Sequence, residues 1–167
     1  KTDGTGLEPI YGQAKQVSLE MQYIVGDWLL KAEFLSKDTE LYGAYWASVT
    51  GFEYTFANCY KGMDLGILYE YLFDDRESFA RSGLDKASFG GVRLALNDEK
   101  GFVFLIGSIF DHQSGHLCNT FLESSRRINE NWKWALEGIF FDHPKSASFL
   151  EQVKRDNYLQ ASLSFFW

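Results

Sequence analysis

The residues able to do chemistry in this sequence fall into separable sets. His112 and Ser114 stand two apart in His112-Gln-Ser114-Gly-His116. On an extended strand such residues share a face, so the imidazole can serve as general base to the hydroxyl, as nucleophilic acyl transfer requires. The same composition is also ordinary turn chemistry. Glu20, Lys31, Glu33, Glu53, Glu70, Arg93, Lys133 and Glu137 are charges set inside alternating, partly apolar stretches. Charges so placed either set a local potential for passing solutes or pair with one another across strands. Asp74, Asp75 and Asp85 bring hard oxygens into one short region, the donor type a divalent cation takes, although a solvated acidic loop has the same composition. The spacing of Cys59 and Cys118 has no zinc-site form, and no phosphate-binding glycine loop occurs. Neither a metal nor a cofactor is expected.

The elements that must position these residues are strands. Period-2 alternation recurs from about residue 15 onward, in segments at 15–25, 27–37, 43–56, 63–73, 87–97, 101–111, 116–127, 131–141 and 157–167. Most of these segments exceed the usual soluble strand of about 5 to 6 residues and approach the about 9 to 11 that cross a bilayer at a tilt. In the second segment Trp28, Leu30, Ala32 and Phe34 share one face while Asp27, Lys31, Glu33 and Lys37 share the other. In the eighth, Trp132, Trp134, Leu136 and Phe140 oppose Lys133 and Glu137. The sixth, from Gly101 to Asp111, is apolar on both faces, which predicts packing against a plug or a neighbouring loop. Gly90-Gly91 inside the fifth predicts a kink or bulge.

Alternation alone is symmetric between a barrel that is apolar inside, as in a lipocalin-like binder, and one that is apolar outside. Tyr23, Trp28, Tyr69, Tyr71, Trp132, Trp134 and Trp167 all fall on the apolar side, several near strand ends, where amphipathic rings suit a membrane interface. The reading is therefore an all-β, antiparallel transmembrane β-barrel of about nine to ten meandering strands. Links read as long at 142–156 and 74–86, moderate at 112–115, 57–62 and 38–42, and tight at 128–130, 98–100 and near Gly26. Short and longer links largely alternate, as periplasmic turns and extracellular loops do. This topology puts Cys59 and Cys118 at opposite rims, too far apart to pair. Within 142–156, Phe149, Leu150 and Val153 have helical spacing. Residues 1–14 read as a loop or the remnant of a preceding strand, with 7–14 as a possible tenth strand, and 15–167 as the barrel segment. Because bacterial barrels carry even strand numbers, the segment is expected to be part of a larger barrel.

Composition narrows the classes further. A formal charge of −7 leaves no basic field for nucleic acid. Aromatic residues at 17%, with 15 glycines against 2 prolines, favour strands and turns. A mean hydropathy of −0.24 does not exclude a membrane barrel, in which every second residue faces water.

The end of the chain, Asn157-Tyr-Leu-Gln-Ala-Ser-Leu-Ser-Phe-Phe-Trp167, resembles the C-terminal β-signal of Gram-negative outer-membrane proteins, with Tyr158, Leu163, Phe165 and Trp167 at its aromatic and apolar positions. Trp167 stands where that signal usually has Phe. The resemblance implies a porin-like channel or structural barrel in the bacterial outer membrane, engaging barrel assembly machinery, outer-membrane lipid and lipopolysaccharide. It also implies passage of small hydrophilic solutes, with the eight charged residues above facing the lumen and cations weakly preferred. A narrower resemblance joins His112-Gln-Ser114 to the His-Gln-Ser stretch of outer-membrane phospholipase A. It implies Ser114 as nucleophile and His112 as base, but the Asn-Gly that follows in that family is Gly115-His116 here.

Overall fold

A computed structural model describes residues 12–40, 43–76, 84–142 and 157–167. These residues form β1 (Ala14–Val25), β2 (Trp28–Thr39), β3 (Gly43–Tyr60), β4 (Met63–Asp74), β5 (Lys86–Leu96), β6 (Val103–Asp111), β7 (His116–Arg127), β8 (Trp132–Phe141) and β9 (Tyr158–Phe165). The strands make one nine-stranded sheet in strict sequence order, every neighbour antiparallel. The chain is thus all-β among the described residues, and no helix there is long and apolar enough to cross a membrane. The expected closure into a barrel is not reached. β1 and β9 are the two edges and do not pair with each other.

Connections fall alternately at the two ends of the sheet but overlap in length, since the link expected as tight at 98–100 spans 97–102 and exceeds 40–42 and 112–115. At one end of the sheet lie the turns Gly26–Asp27, Lys61–Gly62, 97–102 and 128–131, and at the other end the links 40–42, 75–85, 112–115 and 142–157. The link expected at 57–62 is a correction: β3 continues to Tyr60, and only Lys61 and Gly62 turn. Asn58 and Lys61 adopt positive φ of 51° and 48°, and the register shifts between Phe56 and Tyr60. The Asn58 side chain accepts from Gly62 N–H at 2.9 Å, and Asp64 accepts from Asn58 N–H at 2.7 Å, so polar side chains satisfy the backbone that this bulge frees. Gly90-Gly91 is a second correction, since β5 stays in register with both neighbours there. The helix expected within 142–156 and most of the tenth strand at 7–14 lie outside the described residues.

Because β-strands alternate, register fixes two faces. One carries Val17, Leu19, Met21, Tyr23, Trp28, Leu30, Phe34, Trp46, Phe52, Ile67, Val92, Ile106, Trp132, Phe140, Leu163 and Phe165, the other all eight candidate charges. Hollows of about 340, 270 and 310 Å³ are lined mainly by the charged face, and one of about 420 Å³ near the β1 edge mainly by the other; the large apolar side chains of that other face stand exposed, so the charged face is taken as the inner one. The small buried cluster of Leu84, Ala87 and Cys118, with Ile109 against it, also sits there. Leu84 belongs to the β4–β5 link, so a neighbouring loop covers part of β6, as its two-sided apolar pattern predicted.

Candidate functional site

The inner face is built from long side chains laid across glycines. In register order one row reads Gln22, Lys31, Gly51, Glu70, Phe89 and Ile109. Gly51 separates Lys31 from Glu70, and the ammonium reaches over it to the carboxylate at 3.4 Å. A Cβ on Gly51 would lie 2.4 Å from the Tyr69 carbonyl oxygen and 2.6 Å from Glu70 Cγ, so only glycine leaves this path open. Next to it, Arg93 donates to Glu53 above Gly66, whose Cβ would lie 3.4 Å from both Arg93 Nε and Glu53 Oε1. Glu53 is 9% exposed, and its ion pair offsets the cost of burying that charge. Phe89 and Phe121 stack at 5.3 Å over Gly107, where a Cβ would meet the Phe89 ring at 2.3 Å. Gly91 has the same use, its position lying 2.7 Å from the Phe89 ring. The kink expected at Gly90-Gly91 is therefore clearance for an aromatic ring.

All eight candidate charges share the inner face, but they do not form one ring. Lys31, Glu70, Glu53 and Arg93 are paired with one another and lie along the wall. Glu20 and Glu33 are direct register partners near the β1 edge. Glu137 faces Glu123 across β7 and β8 and accepts a hydrogen bond from the Tyr158 hydroxyl at 2.9 Å. Sequence reading missed Glu123, although its position in the alternation of β7 was sufficient to find it. It lines the 270 Å³ hollow with Arg93, Lys133 and Glu137. Tyr158 is thus on the inner face, whereas Leu163, Phe165 and, by phase, Trp167 follow the outer one.

The Ser114–His112 pair is not assembled. His112 Nε2 instead lies 2.6 Å from Ser88 Oγ, which in turn lies 2.9 Å from the Tyr69 hydroxyl. The ring of His112 is flanked by Tyr71 and Phe110, at 5.8 and 5.2 Å between centroids. This chain of polar atoms ties β4, β5 and the β6–β7 link together at the long-link end, on the outer side of the sheet.

Of the acidic loop, Asp74 and Asp75 are otherwise engaged, whereas Asp85 is buried with its Oδ1 lacking a hydrogen-bond partner among the described residues. Asp74 accepts three hydrogen bonds from Arg76, from its backbone N–H at 3.1 Å, from Nε at 2.8 Å and from Nη2, and the guanidinium lies 4.0 Å over the Tyr45 ring. The hydrogen bond to Asp74 raises the Arg76 pKa above its ordinary value. Asp75 accepts from Trp46 N–H at 3.0 Å. Among the described residues no group of His, Cys, Asp or Glu is arranged to hold a metal ion. Cys59 and Cys118 are both free, the first exposed near the Lys61–Gly62 turn and the second buried near the opposite end of the sheet.

At the short-turn end, Arg126 pairs with Asp98. Desolvation works against the Asp98 carboxylate. The hydrogen bond and charge of Arg126, with the backbone N–H groups of Gly101 and Phe102, outweigh it and hold the Asp98 pKa below the usual aspartate value.

The outer face completes the arrangement. Between Val17 and Val25, Trp28 and Ser36, Ala44 and Phe56, Met63 and Phe73, Ser88 and Leu96, and along β6, β8 and β9, its register positions carry no Asp, Glu, Lys or Arg. Lys15, Asp38, Lys86 and Arg126 stand only at its ends. Rings cluster toward both ends, with Trp28 against Tyr54 at 4.7 Å and Trp132 against Phe165 at 5.0 Å at one, and Trp46 against Phe73 at 4.6 Å at the other. Such pairs contribute about 0.5–1.5 kcal/mol each beyond their area.

Fold and site together define a meandering antiparallel sheet with a charged, glycine-notched inner face and an outer one that carries charge only at its ends. Comparison with known protein families, curated proteins and solved structures finds no match for this chain.

Proposed function

We propose that this chain forms part of the wall of a β-barrel in a bacterial outer membrane, its inner face lining a passage for small hydrophilic solutes. The observation that carries the reading is the uncharged outer band, continuous over nine strands and bordered by aromatic rings. A soluble protein rarely exposes an apolar surface of this extent, since patches beyond a few hundred Å² mark interfaces or membrane contact. Nine positions from Val17 to Val25, rising about 3.3 Å each and tilted, span close to the about 25 Å apolar band of outer-membrane barrels. A lipocalin-like binder would turn this face inward.

The inner face supports selectivity of a particular form. Lys31–Glu70 and Glu53–Arg93 neutralise themselves against the wall. Net potential then comes from Glu20, Glu33, Glu123 and Glu137, countered chiefly by Lys133, so passage of cations is mildly preferred. Engagement of lipopolysaccharide and of barrel assembly machinery through Leu163, Phe165 and Trp167 belongs to the same reading.

The test is single-channel recording in planar bilayers on the protein refolded in detergent. Discrete steps with mild cation preference are expected, and Glu123→Gln with Glu137→Gln should shift the reversal potential toward anions. A folded, detergent-free monomer would overturn the membrane reading. An inserted barrel without conductance would leave a structural wall.

A further inference from the structure

The three hollows of the inner face differ in what lines them. Arg93, Glu123, Lys133 and Glu137 line the one of about 270 Å³, and Glu20 and Glu33 the one of about 310 Å³. The hollow of about 340 Å³ is apolar on almost every side, and among the described residues Glu70 is its one charged lining residue. Its main wall is the Phe89–Phe121 pair, with ring planes 19° apart, which bridges β5 and β7 over Gly107. No side chain at Gly91 or Gly107 competes for that space, so the rings are fixed. Val49, Leu72 and Ile109 extend the wall, and Leu84 of the β4–β5 link closes one side. In the register row Val49, Leu72, Ala87, the small Ala87 side chain leaves the recess open. Ligand pockets of about 300–1,000 Å³ combine apolar walls with a few placed polar groups. A recess at the lower end of that range takes one ring or a short hydrocarbon chain.

Charge decides the head group. Glu70 Oε1 accepts from Lys31 Nζ at 3.4 Å, and this is the one hydrogen bond to that carboxylate among the described residues. Oε2 keeps its lone pairs for a second donor. Asp111 is the register partner of Ala87. Asp85 lies two positions before Ala87 on the same face, 4% exposed and with Oδ1 unpartnered. Asp74 is neutralised by Arg76, whereas Asp85 and Asp111 have no ion pair among the described residues. The local surplus is negative and favours an ammonium over a carboxylate.

We propose that this hollow binds a small amphipathic organic cation, a single ring or short chain against Phe89 and Phe121 with its ammonium donating to Glu70 Oε2. The inference rests on the reading of the inner face as the lining of a passage, and it names a class of solute that the passage retains. The site lies beside the 75–85 link, at the long-link mouth.

Calorimetric titration of the protein refolded in detergent tests this, with phenethylamine as the probe and phenethyl alcohol, hydrocinnamate and ethylamine beside it, each corrected for uptake by empty micelles. Saturable binding of phenethylamine is expected. Loss of the charge in the alcohol, or of the ring in ethylamine, should weaken it at least about tenfold, and hydrocinnamate should bind least. Glu70→Gln should weaken phenethylamine about tenfold, and Val49→Phe, which fills the hollow, should abolish binding. Equal affinity for the alcohol or for hydrocinnamate, or an affinity unchanged in both variants, would overturn the proposal. So would absence of saturable phenethylamine binding to the unsubstituted protein, a result that depends on no variant folding. Planar-bilayer recording separates the two readings. Binding by a protein that never conducts defeats the passage and leaves the site, whereas conductance without binding defeats the site alone.

Discussion

The two faces of this sheet are made by the same strands from alternate residues, yet they solve opposite problems. Inside, part of the charge is paired and laid flat, as at Lys31–Glu70 and Glu53–Arg93, and glycines at positions 51 and 107 remove a side chain so that the neighbours on either side can meet. Outside, charge is confined to the ends of the sheet and the band between is uncharged. Gly90, on the outer face, would meet nothing within 4 Å if given a Cβ, whereas Gly91, one residue along and facing inward, is crowded by a ring. The face alone does not decide a strand glycine's use: inward, Gly51, Gly91 and Gly107 are clearance for neighbouring side chains, while outward Gly90 faces open space and Gly138 is tight, its Cβ position lying 3.1 Å from both Leu159 and Phe140.

The contrast breaks most severely if charge is moved across the sheet. Ile106→Arg places a cation in the middle of the outer band, with an expected loss of about 2–4 kcal/mol in lipid if that band meets hydrocarbon, against about 0.5 kcal/mol or less for an exposed soluble surface. Urea unfolding in lipid vesicles measures the difference. A result near zero would mean that the outer face is wet.

A smaller effect separates the two kinds of glycine. Gly107→Ala drives a methyl into the Phe89 and Phe121 rings and should cost about 1–3 kcal/mol, while Gly90→Ala should be close to neutral. Equal costs would dissolve the distinction between crowded and open glycines.

Smaller again are the ion pairs. Glu53→Gln leaves Arg93 without its carboxylate at a largely buried position and should cost about 1–2 kcal/mol, whereas Glu70→Gln, at a half-exposed pair, should cost about 0–1 kcal/mol. The order of the two unfolding midpoints is the measurement.

The least effect is pH-dependent and lies at a turn. The folded-state pKa of Asp98 is depressed, so its contribution is present above the unfolded value of about 3.9 and is lost as pH falls through the lower folded value. Wild type and Asp98→Asn should differ slightly in unfolding midpoint at neutral pH and converge in strong acid; a gap that persists in acid would place the effect elsewhere.

Much of this architecture is legible from the residues. Long alternating runs locate the nine strands to within a few residues, and the phase of each run puts Glu20, Lys31, Glu33, Glu53, Glu70, Arg93, Lys133 and Glu137 on one face. The bulge at Asn58 was not legible, because Phe56 to Tyr60 keeps a strand-like composition while its register slips. Nor was the exchange of Ser114 for Ser88 as the partner of His112. Those two serines differ by a strand and a loop in sequence, and only the pairing of β5 with β6 brings Ser88 to the imidazole.

By itself, then, the sequence determined the strands, their faces and the charge of each face, since alternation is local and a side chain's direction follows from its position in the pleat. The tertiary structure alone decided which inner charges neutralise one another, which glycines make room for them, and that β1 and β9 remain two edges facing the same way. Register, clearance and closure depend on hydrogen-bonded neighbours far along the chain, and no local period encodes them.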